Sequence, residues 1–131
     1  MVDNDFPVYC DDGTLMPDNA MLRWLQLLVD GSNRLGRPLE VARGHQKRLL
    51  DAGFVNVTTR VYRWPVNTWP RDPKYREIGL WTLANVDSGL EGLSMALLTR
   101  GLGWSRDEVL TFLAEVRQQL RNRTVHAYWK M

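Results

Sequence analysis

The chain has 131 residues, of which 44% are hydrophobic and 24% are charged, and this composition is ordinary for a single globular domain spanning residues 1–131. The formal net charge is only +2 and the basic residues are scattered, which argues against binding to nucleic acid or to a membrane surface. The single cysteine, Cys10, excludes an internal disulfide. Without a signal sequence or a long apolar segment, we expect a cytoplasmic protein, with the nucleus as the alternative.

The first third of the chain predicts one strand and two helices. An apolar run at Phe6–Cys10 is followed by turn residues, which indicates a short strand. A helix is predicted to begin at Pro17 and to end near Gly31 to Gly36, because apolar residues recur there at helical spacing. A second helix is predicted at residues 43–52, with Gly53 at its C-terminal cap.

The middle of the chain predicts a strand, a rigid loop and a long helix. Alternating valines predict the strand at residues 55–63. Three prolines between residues 64 and 73 exclude regular structure, so this segment is predicted to be a loop of fixed shape. A helical region follows at about residues 75–100, with a bend expected near residues 87–89.

The end of the chain predicts a capped helix and a last strand. The segment Ser105–Glu108 has the pattern of a capping box, which marks the beginning of a helix with one apolar face. Residues 125–129 are predicted to form the closing strand.

No phosphate-binding loop, metalloprotease motif or paired-cysteine motif is present, and neither His45 nor His126 has a carboxylate at metal-ligand spacing. The sequence therefore predicts no metal site.

Several short motifs occur in one order along nearly the whole chain. They are Leu50–Phe54, Trp69–Asp72, Glu77–Gly79, Asn85, Leu102–Ser105 and His126–Tyr128. In this order the motifs make the chain similar to the fungal LaeA-type class I methyltransferases. The segment Asp11–Leu15 also looks like the part of this family that follows its fifth strand.

The resemblance implies an α/β fold, a truncated and Rossmann-like methyltransferase remnant with about three strands and four or five helices. The family binds S-adenosylmethionine with a glycine-rich loop and an acidic residue that precede the part matched here. The chain thus resembles the C-terminal half of the family without the cofactor-binding half. We expect no cofactor to bind to this chain alone, and we do not expect a self-sufficient methyltransferase.

The implied fold also predicts where a site would lie. Ligands of such folds bind at the carboxyl ends of the parallel strands, and the final strand of the family is antiparallel, so its beginning faces the same edge. On this template one rim of the sheet collects Asp11, Asp12, His45, Trp64, Trp69 and His126. The helices carrying Met21, Trp24, Trp81 and Asn85 would cover the rim.

Within this rim, His45 or His126 is the candidate general acid/base, and Asp11 or Asp12 is the candidate carboxylate that orients the ring. The tryptophans would form the walls, and Asn85 would offer a hydrogen bond to the substrate. The alternative is that Trp64, Trp69 and Trp81 only fill the core between the cap and the sheet.

Three hypotheses on function remain open at this point. The first is a cofactor-independent enzyme of fungal secondary metabolism that catalyses a cyclisation, an isomerisation or a related rearrangement of a polyketide- or terpenoid-like molecule. The second is a non-catalytic interaction module, either a regulator or a partner subunit of a methyltransferase that binds S-adenosylmethionine. The third is a truncated product without activity. A homodimer is also expected, because the truncated sheet would leave an open edge and uncovered helix faces. Its interface is predicted to lie near Phe6–Cys10 or at the first helix.

Overall fold

The structure, a computed structural model, describes all 131 residues. A 3₁₀ turn at Ala42–Gly44 precedes the second helix, and a π-helical turn at Leu97–Gly101 continues the third. The strands are β1 (Asp5–Cys10), β2 (Arg63–Pro65) and β3 (Ala127–Lys130). The helices are α1 (Ala20–Arg34), α2 (His45–Asp51), α3 (Pro73–Ala96) and α4 (Arg106–Arg121).

The three strands form one sheet in the order β1-β3-β2. The last strand, β3, lies in the middle and is antiparallel to both neighbours, with Tyr9 opposite Tyr128 and Trp64 opposite Trp129. The two outer strands therefore run parallel to each other. The carboxyl ends of β1 and β2 meet the beginning of β3 at one edge of the sheet. This arrangement confirms the predicted fold class of a truncated α/β methyltransferase-like sheet with helices.

Three helices, α1, α3 and α4, pack together over the face of the sheet that carries Val8, Ala127 and Trp129. Trp24 of α1 is buried in this core, and its indole Nε1 donates a hydrogen bond of 2.8 Å to the buried hydroxyl of Ser94 in α3. Burying the indole with its donor paired avoids the cost of an unsatisfied polar group. These contacts hold the helices against one side of the sheet.

The predicted helix caps agree with the structure in two of three places. The capping box of α4 is present, with Ser105 and Glu108 each bonded to the other's backbone. Gly53 follows α2 with φ of 91°, as a glycine at the C-terminal cap does. The predicted beginning of α1 at Pro17 is wrong, because the side chain of Asn19 accepts a hydrogen bond from the N–H of Met21 and starts the helix there.

The predicted strand at residues 55–63 is also wrong. This segment has no regular structure, and its only strand residue, Arg63, begins β2. The partner strand β3 has only four residues, so the ladder extends no further than one exchange of backbone hydrogen bonds between Tyr62 and Met131. Val55 and Val61 are 81% and 62% exposed, so the alternation of valines has no surface to pack against.

The proline-containing segment differs from the prediction at both ends. Pro65 lies within β2, an edge strand, where a missing N–H is tolerated. Pro73 is the first residue of α3, whose N-terminus is capped by the side chain of Asp72. The long helix runs through residues 87–89 without interruption, so the bend predicted there is wrong, and the irregular turn lies at Leu97–Gly101 instead.

Gly79 allows α3 to lie directly against the loop that follows β2. A Cβ atom at this position would lie 2.0 Å from the carbonyl oxygen of Asn67. The loop cannot easily move away, because the buried side chain of Asn67 donates to the carbonyl oxygens of Leu120 and Asn122 and accepts from the N–H of Trp69. The position of this loop, which also carries Trp69, therefore depends on a residue without a side chain.

We expect Gly79→Ala to destabilise the fold by about 2 kcal/mol or more, because the added methyl group overlaps backbone atoms. Gly92→Ala, on the same helix, is the matched control, since a methyl group added there would have no atom within 4 Å. That substitution should stabilise α3 by roughly 0.5–1 kcal/mol. Urea denaturation monitored by circular dichroism measures both. Equal stabilities of the two variants would contradict this account of the loop.

Candidate functional site

A cavity of about 320 Å³ opens at the edge of the sheet where β1 and β2 end and β3 begins. We call it the rim cavity. Its lining combines ionisable side chains with aromatic rings and prolines, a composition typical of small-molecule sites. The residues that line it are Asp11, Asp12, Arg63, Pro65, Trp69, Pro70, Tyr75, His126 and Tyr128.

Asp12 and His126 form the central contact of the rim cavity, although they lie 114 positions apart. Asp12 follows the end of β1 and His126 precedes β3, and their Oδ2 and Nδ1 atoms are 2.5 Å apart. Asp12 also accepts hydrogen bonds from the hydroxyl and N–H of Thr14, at 2.8 and 3.1 Å. The hydrogen bond from His126, followed by those from Thr14, lowers the pKa of Asp12 far below its usual value. Asp12 is therefore ionised at neutral pH.

The contact determines where the proton of a neutral His126 ring is held. An ionised carboxylate only accepts hydrogen bonds, so Nδ1 of His126 must donate. The other nitrogen, Nε2, has no hydrogen-bond partner in the protein. The ring also packs against the indole of Trp69, with centroids 4.9 Å apart and an interplanar angle of 30°. A carboxylate-oriented histidine with one free nitrogen is an arrangement suited to general acid/base chemistry.

Trp69 is itself held in place at the rim. Its indole Nε1 donates a hydrogen bond of 2.8 Å to the carbonyl oxygen of Ala127, and its backbone N–H donates to the side chain of Asn67. The backbone N–H of His126 donates to the hydroxyl of Thr14 at 2.8 Å. These hydrogen bonds hold the indole of Trp69 and the backbone of His126 in place at the rim.

A second carboxylate, Asp11, joins the other two strands at the rim. Asp11 accepts hydrogen bonds from the hydroxyl of Tyr128 at 2.8 Å and from Arg63 at 2.9 Å. The guanidinium of Arg63 also lies 4.8 Å from the centroid of the Tyr128 ring. Burial, and then the hydrogen bond to Asp11, raise the pKa of Tyr128, so this phenol stays neutral. Asp11 thus holds an arginine and a tyrosine in place and is not free to orient a histidine.

The structure places four of the predicted site residues at the rim cavity, namely Asp11, Asp12, Trp69 and His126. The expected position of His45 is wrong. It lies with Asp3, Lys130 and Met131 around a different cavity, of about 550 Å³, at the opposite edge of the sheet. The reason is that α1 carries the chain away from the rim, so the chain reaches α2 beside the amino end of β1.

Both ring nitrogens of His45 are already used. Its Nε2 lies 2.6 Å from Asp3, and its Nδ1 lies 2.9 Å from the guanidinium of Arg48. The hydrogen bond from His45 is the main factor that lowers the pKa of Asp3. Because arginine can only donate, Nδ1 accepts and Nε2 donates to the carboxylate. His45 therefore ties the N-terminal segment to α2.

The remaining predicted residues do not line the rim cavity. Met21 and Trp24 are buried in the helical core and do not cover the rim. Trp64 is 38% exposed and Trp81 is 68% exposed. Asn85 is exposed on α3 as well. Trp81 follows Gly79 by two positions, so it lies on the side of the helix away from the loop that Gly79 contacts.

Sequence reasoning missed Arg63, Tyr75, Tyr128 and the role of Thr14. Tyr128 could have been found, because it follows His126 by two positions in a strand and so shares its face. Arg63 could not, because the predicted strand ended at the residue where β2 actually begins. Tyr75 lies at the rim because α3 starts there, and the sequence predicted the helix but not where its first turn lies in the fold.

The residues of this chain do not fit S-adenosylmethionine, the cofactor that the resemblance implies. In the turn after β1, the N–H of Thr14 is already bonded to the carboxylate of Asp12. Asp11 and Asp12 would repel the carboxylate of the methionine part, and neither β2 nor β3 leads into a glycine-rich turn.

No group of three or more His, Cys, Asp or Glu side chains could hold a metal ion. No helix is long and apolar enough to cross a membrane.

Comparison with known proteins supplies the family context. The chain is 43% identical over 123 residues to the probable methyltransferase tdiE of Emericella nidulans, matching 94% of this chain and 39% of that protein. It is 38% identical to the secondary metabolism regulator LAE1 of Cochliobolus heterostrophus, matching 97% of this chain and 42% of that protein. It is 33% identical to the methyltransferase pytC of Aspergillus terreus, matching 92% and 37%. The chain thus spans about two fifths of the length of these relatives. No family model and no solved structure matches.

The lowered pKa of Asp12 predicts how the rim responds to acid. A carboxyl whose pKa is lower in the folded state than its unfolded value of 3.8 stabilises the fold fully above that value. This contribution is lost as the pH falls further, because the unfolded chain then binds the proton more readily. We expect the difference in melting temperature between the wild type and Asp12→Asn to shrink on acidification from about pH 5 to about pH 3. A difference that stays constant over this range would contradict the pairing.

Proposed function

Because this chain is homologous over nearly its whole length to part of the fungal LaeA-type methyltransferases, we propose that it acts on a small organic molecule of fungal secondary metabolism. The proposed reaction is a proton transfer without a cofactor, in the form of a cyclisation, an isomerisation or a related rearrangement. The substrate would be polyketide- or terpenoid-like. His126 is the proposed general acid/base, and Asp12 is the carboxylate that orients it.

The observation that carries this proposal is the 2.5 Å contact between Asp12 and His126, with Nε2 of the ring unbonded at a cavity. A general base needs a free lone pair within reach of the substrate proton, and a positioned ring contributes typically 10²- to 10⁴-fold to the rate. Asp12 accepts the hydrogen bond from Nδ1 and so holds the ring in the tautomer that leaves Nε2 free to take up the proton.

A rearrangement of this kind balances without a co-reactant. Nε2 of His126 removes a proton from an acidic O–H or C–H bond of the substrate, and the electron pair of that bond moves into the conjugated system. The same ring then returns the proton to another carbon or oxygen atom of the substrate. Nothing is oxidised or reduced, and the histidine ends neutral. Trp69 would hold the substrate flat while its bonds shift.

A second candidate is favoured by the relatives themselves. Two of these three relatives are named methyltransferases, and the third is named a regulator, whereas the chain spans only about two fifths of their length. In this alternative the chain is a non-catalytic interaction module, either a regulator or a partner subunit of a methyltransferase that binds S-adenosylmethionine. The two candidates differ in whether the chain alone changes a small molecule.

Whether His126 acts as the general acid/base can be tested with 1,3-dihydroxynaphthalene. This compound is a polyketide-like phenol whose ring hydrogens exchange through a keto tautomer. We expect the wild type to accelerate deuterium exchange of these hydrogens in D₂O, as followed by NMR. His126→Ala should lower the accelerated rate by about 100-fold. His45→Ala, whose ring lies at the opposite edge, should retain it, and circular dichroism checks that both variants fold.

Two outcomes would contradict the proposal. If His126→Ala exchanges as fast as the wild type, the histidine takes no part in the chemistry. If the wild type itself gives only the rate of the buffer, the chain alone has no such activity, and the interaction module becomes the better account. Asp12→Asn should fall between the wild type and His126→Ala, because the ring remains present but loses its orientation.

We also propose that the chain forms a homodimer through the open edge of β1. This strand pairs only with β3 and is therefore an edge of the sheet, which a second strand can extend. One backbone group of the strand is already used, because the carbonyl oxygen of Phe6 accepts a hydrogen bond from Arg43. A second copy is the simplest occupant. Sedimentation equilibrium at micromolar concentration should show a species of twice 15.2 kDa. A single species of 15.2 kDa would contradict the dimer.

A further inference from the structure

We infer that the rim cavity selects a neutral, planar ligand that donates a hydrogen bond, of the class of phenols and enols of fused aromatic rings. This inference rests on the proposed function, because it concerns the ligand of the same cavity. It follows from three features of the cavity, namely the pairing of its charges, the free atom of His126 and the shape of its walls.

The first feature is that the charges of the rim cavity already have partners within the chain. The Oδ1 atom of Asp12 accepts from Thr14, and its Oδ2 faces His126. In the same way, Oδ1 of Asp11 accepts from Tyr128 and Oδ2 accepts from Arg63. An anionic ligand would have to leave water beside two carboxylates without an unpaired cation to receive it, which is costly. A cationic ligand would find both carboxylates already bonded.

The second feature is the free nitrogen of His126. Because Nδ1 donates to Asp12, the neutral ring presents Nε2 as an acceptor. A ligand atom that meets Nε2 must therefore donate a hydrogen bond. A phenolic or enolic O–H does so, whereas an ether oxygen, a ketone oxygen or a carboxylate does not. The histidine thus distinguishes ligands by the presence of one hydrogen atom.

The third feature is the shape of the walls. The walls include the indole of Trp69, the rigid saturated rings of Pro65 and Pro70, and Tyr75, which is 43% exposed. Offset stacking on the indole favours planar conjugated ligands over branched ones. The volume of about 320 Å³ is at the small end of the range for ligand sites, about 300–1,000 Å³. Two or three fused rings fit this description better than a long chain.

Three probes that share one ring system differ only in their charge and in their hydrogen-bond donor, so they test the first two features. We would measure binding of 2-naphthol, 2-methoxynaphthalene and 2-naphthoate to the full chain by calorimetry near neutral pH. We expect 2-naphthol to bind about tenfold more tightly than 2-methoxynaphthalene, which keeps the rings but lacks the donor. We expect 2-naphthoate to bind more weakly than both. His126→Ala should remove the advantage of 2-naphthol and leave 2-methoxynaphthalene unchanged, while His45→Ala should change neither.

The outcomes separate this inference from the proposed function. Tighter binding of 2-naphthoate, or equal binding of 2-naphthol and its methyl ether to the wild type, would overturn the inference and leave acid/base chemistry on another ligand intact. Failure of every probe to bind at millimolar concentration would overturn both. A loss of all binding in Trp69→Ala, with the fold retained, would support the stacking wall.

Discussion

The position of β3 between β1 and β2 is the constraint on which the rest of the structure depends. The last strand of the chain enters a sheet whose two outer strands run parallel, and it runs against both. Its first residues therefore meet the ends of both neighbours at one edge. This is why His126 reaches Asp12, and why Tyr128 reaches Asp11 on one side and Arg63 on the other. The rim cavity therefore has residues from all three strands, because β3 lies between β1 and β2 and is antiparallel to both.

The helices on one side of the sheet lie in close contact with one another. A methyl group added at Gly31 would lie 2.6 Å from the carbonyl oxygen of Leu97, and one added at Gly101 would lie 2.8 Å from the carbonyl oxygen of Gly31. These glycines let α1 pass directly beside the π-helical turn. Asp87 of α3 also connects the two helices, because it accepts hydrogen bonds from Arg117 and Arg121 of α4. Burial alone would raise the pKa of Asp87, but these hydrogen bonds lower it. The cavity thus lies beside a tightly packed set of helices.

Much of this fold could be predicted from short-range signals, and the failures have long-range causes. The capping box at Ser105 and the glycine after α2 act within one turn, so they were predictable. The valines near Val57 indicated a strand, but whether they form one depends on the length of β3, which lies 70 residues further on. At the rim, the fold template placed Asp12 and His126 together correctly. It misplaced His45, because the path of the chain after α1 is set by packing and not by any local pattern.

The tautomer of His126 is the feature on which acid/base chemistry and ligand selection both depend, and NMR measures it directly. Long-range correlations between the ring hydrogens and both ring nitrogens distinguish a proton on Nδ1 from one on Nε2. The structure predicts that neutral His126 carries its proton on Nδ1 in the wild type, facing Asp12, and loses this preference in Asp12→Asn. A wild-type ring protonated on Nε2, or a ring unaffected by Asp12→Asn, would contradict the account.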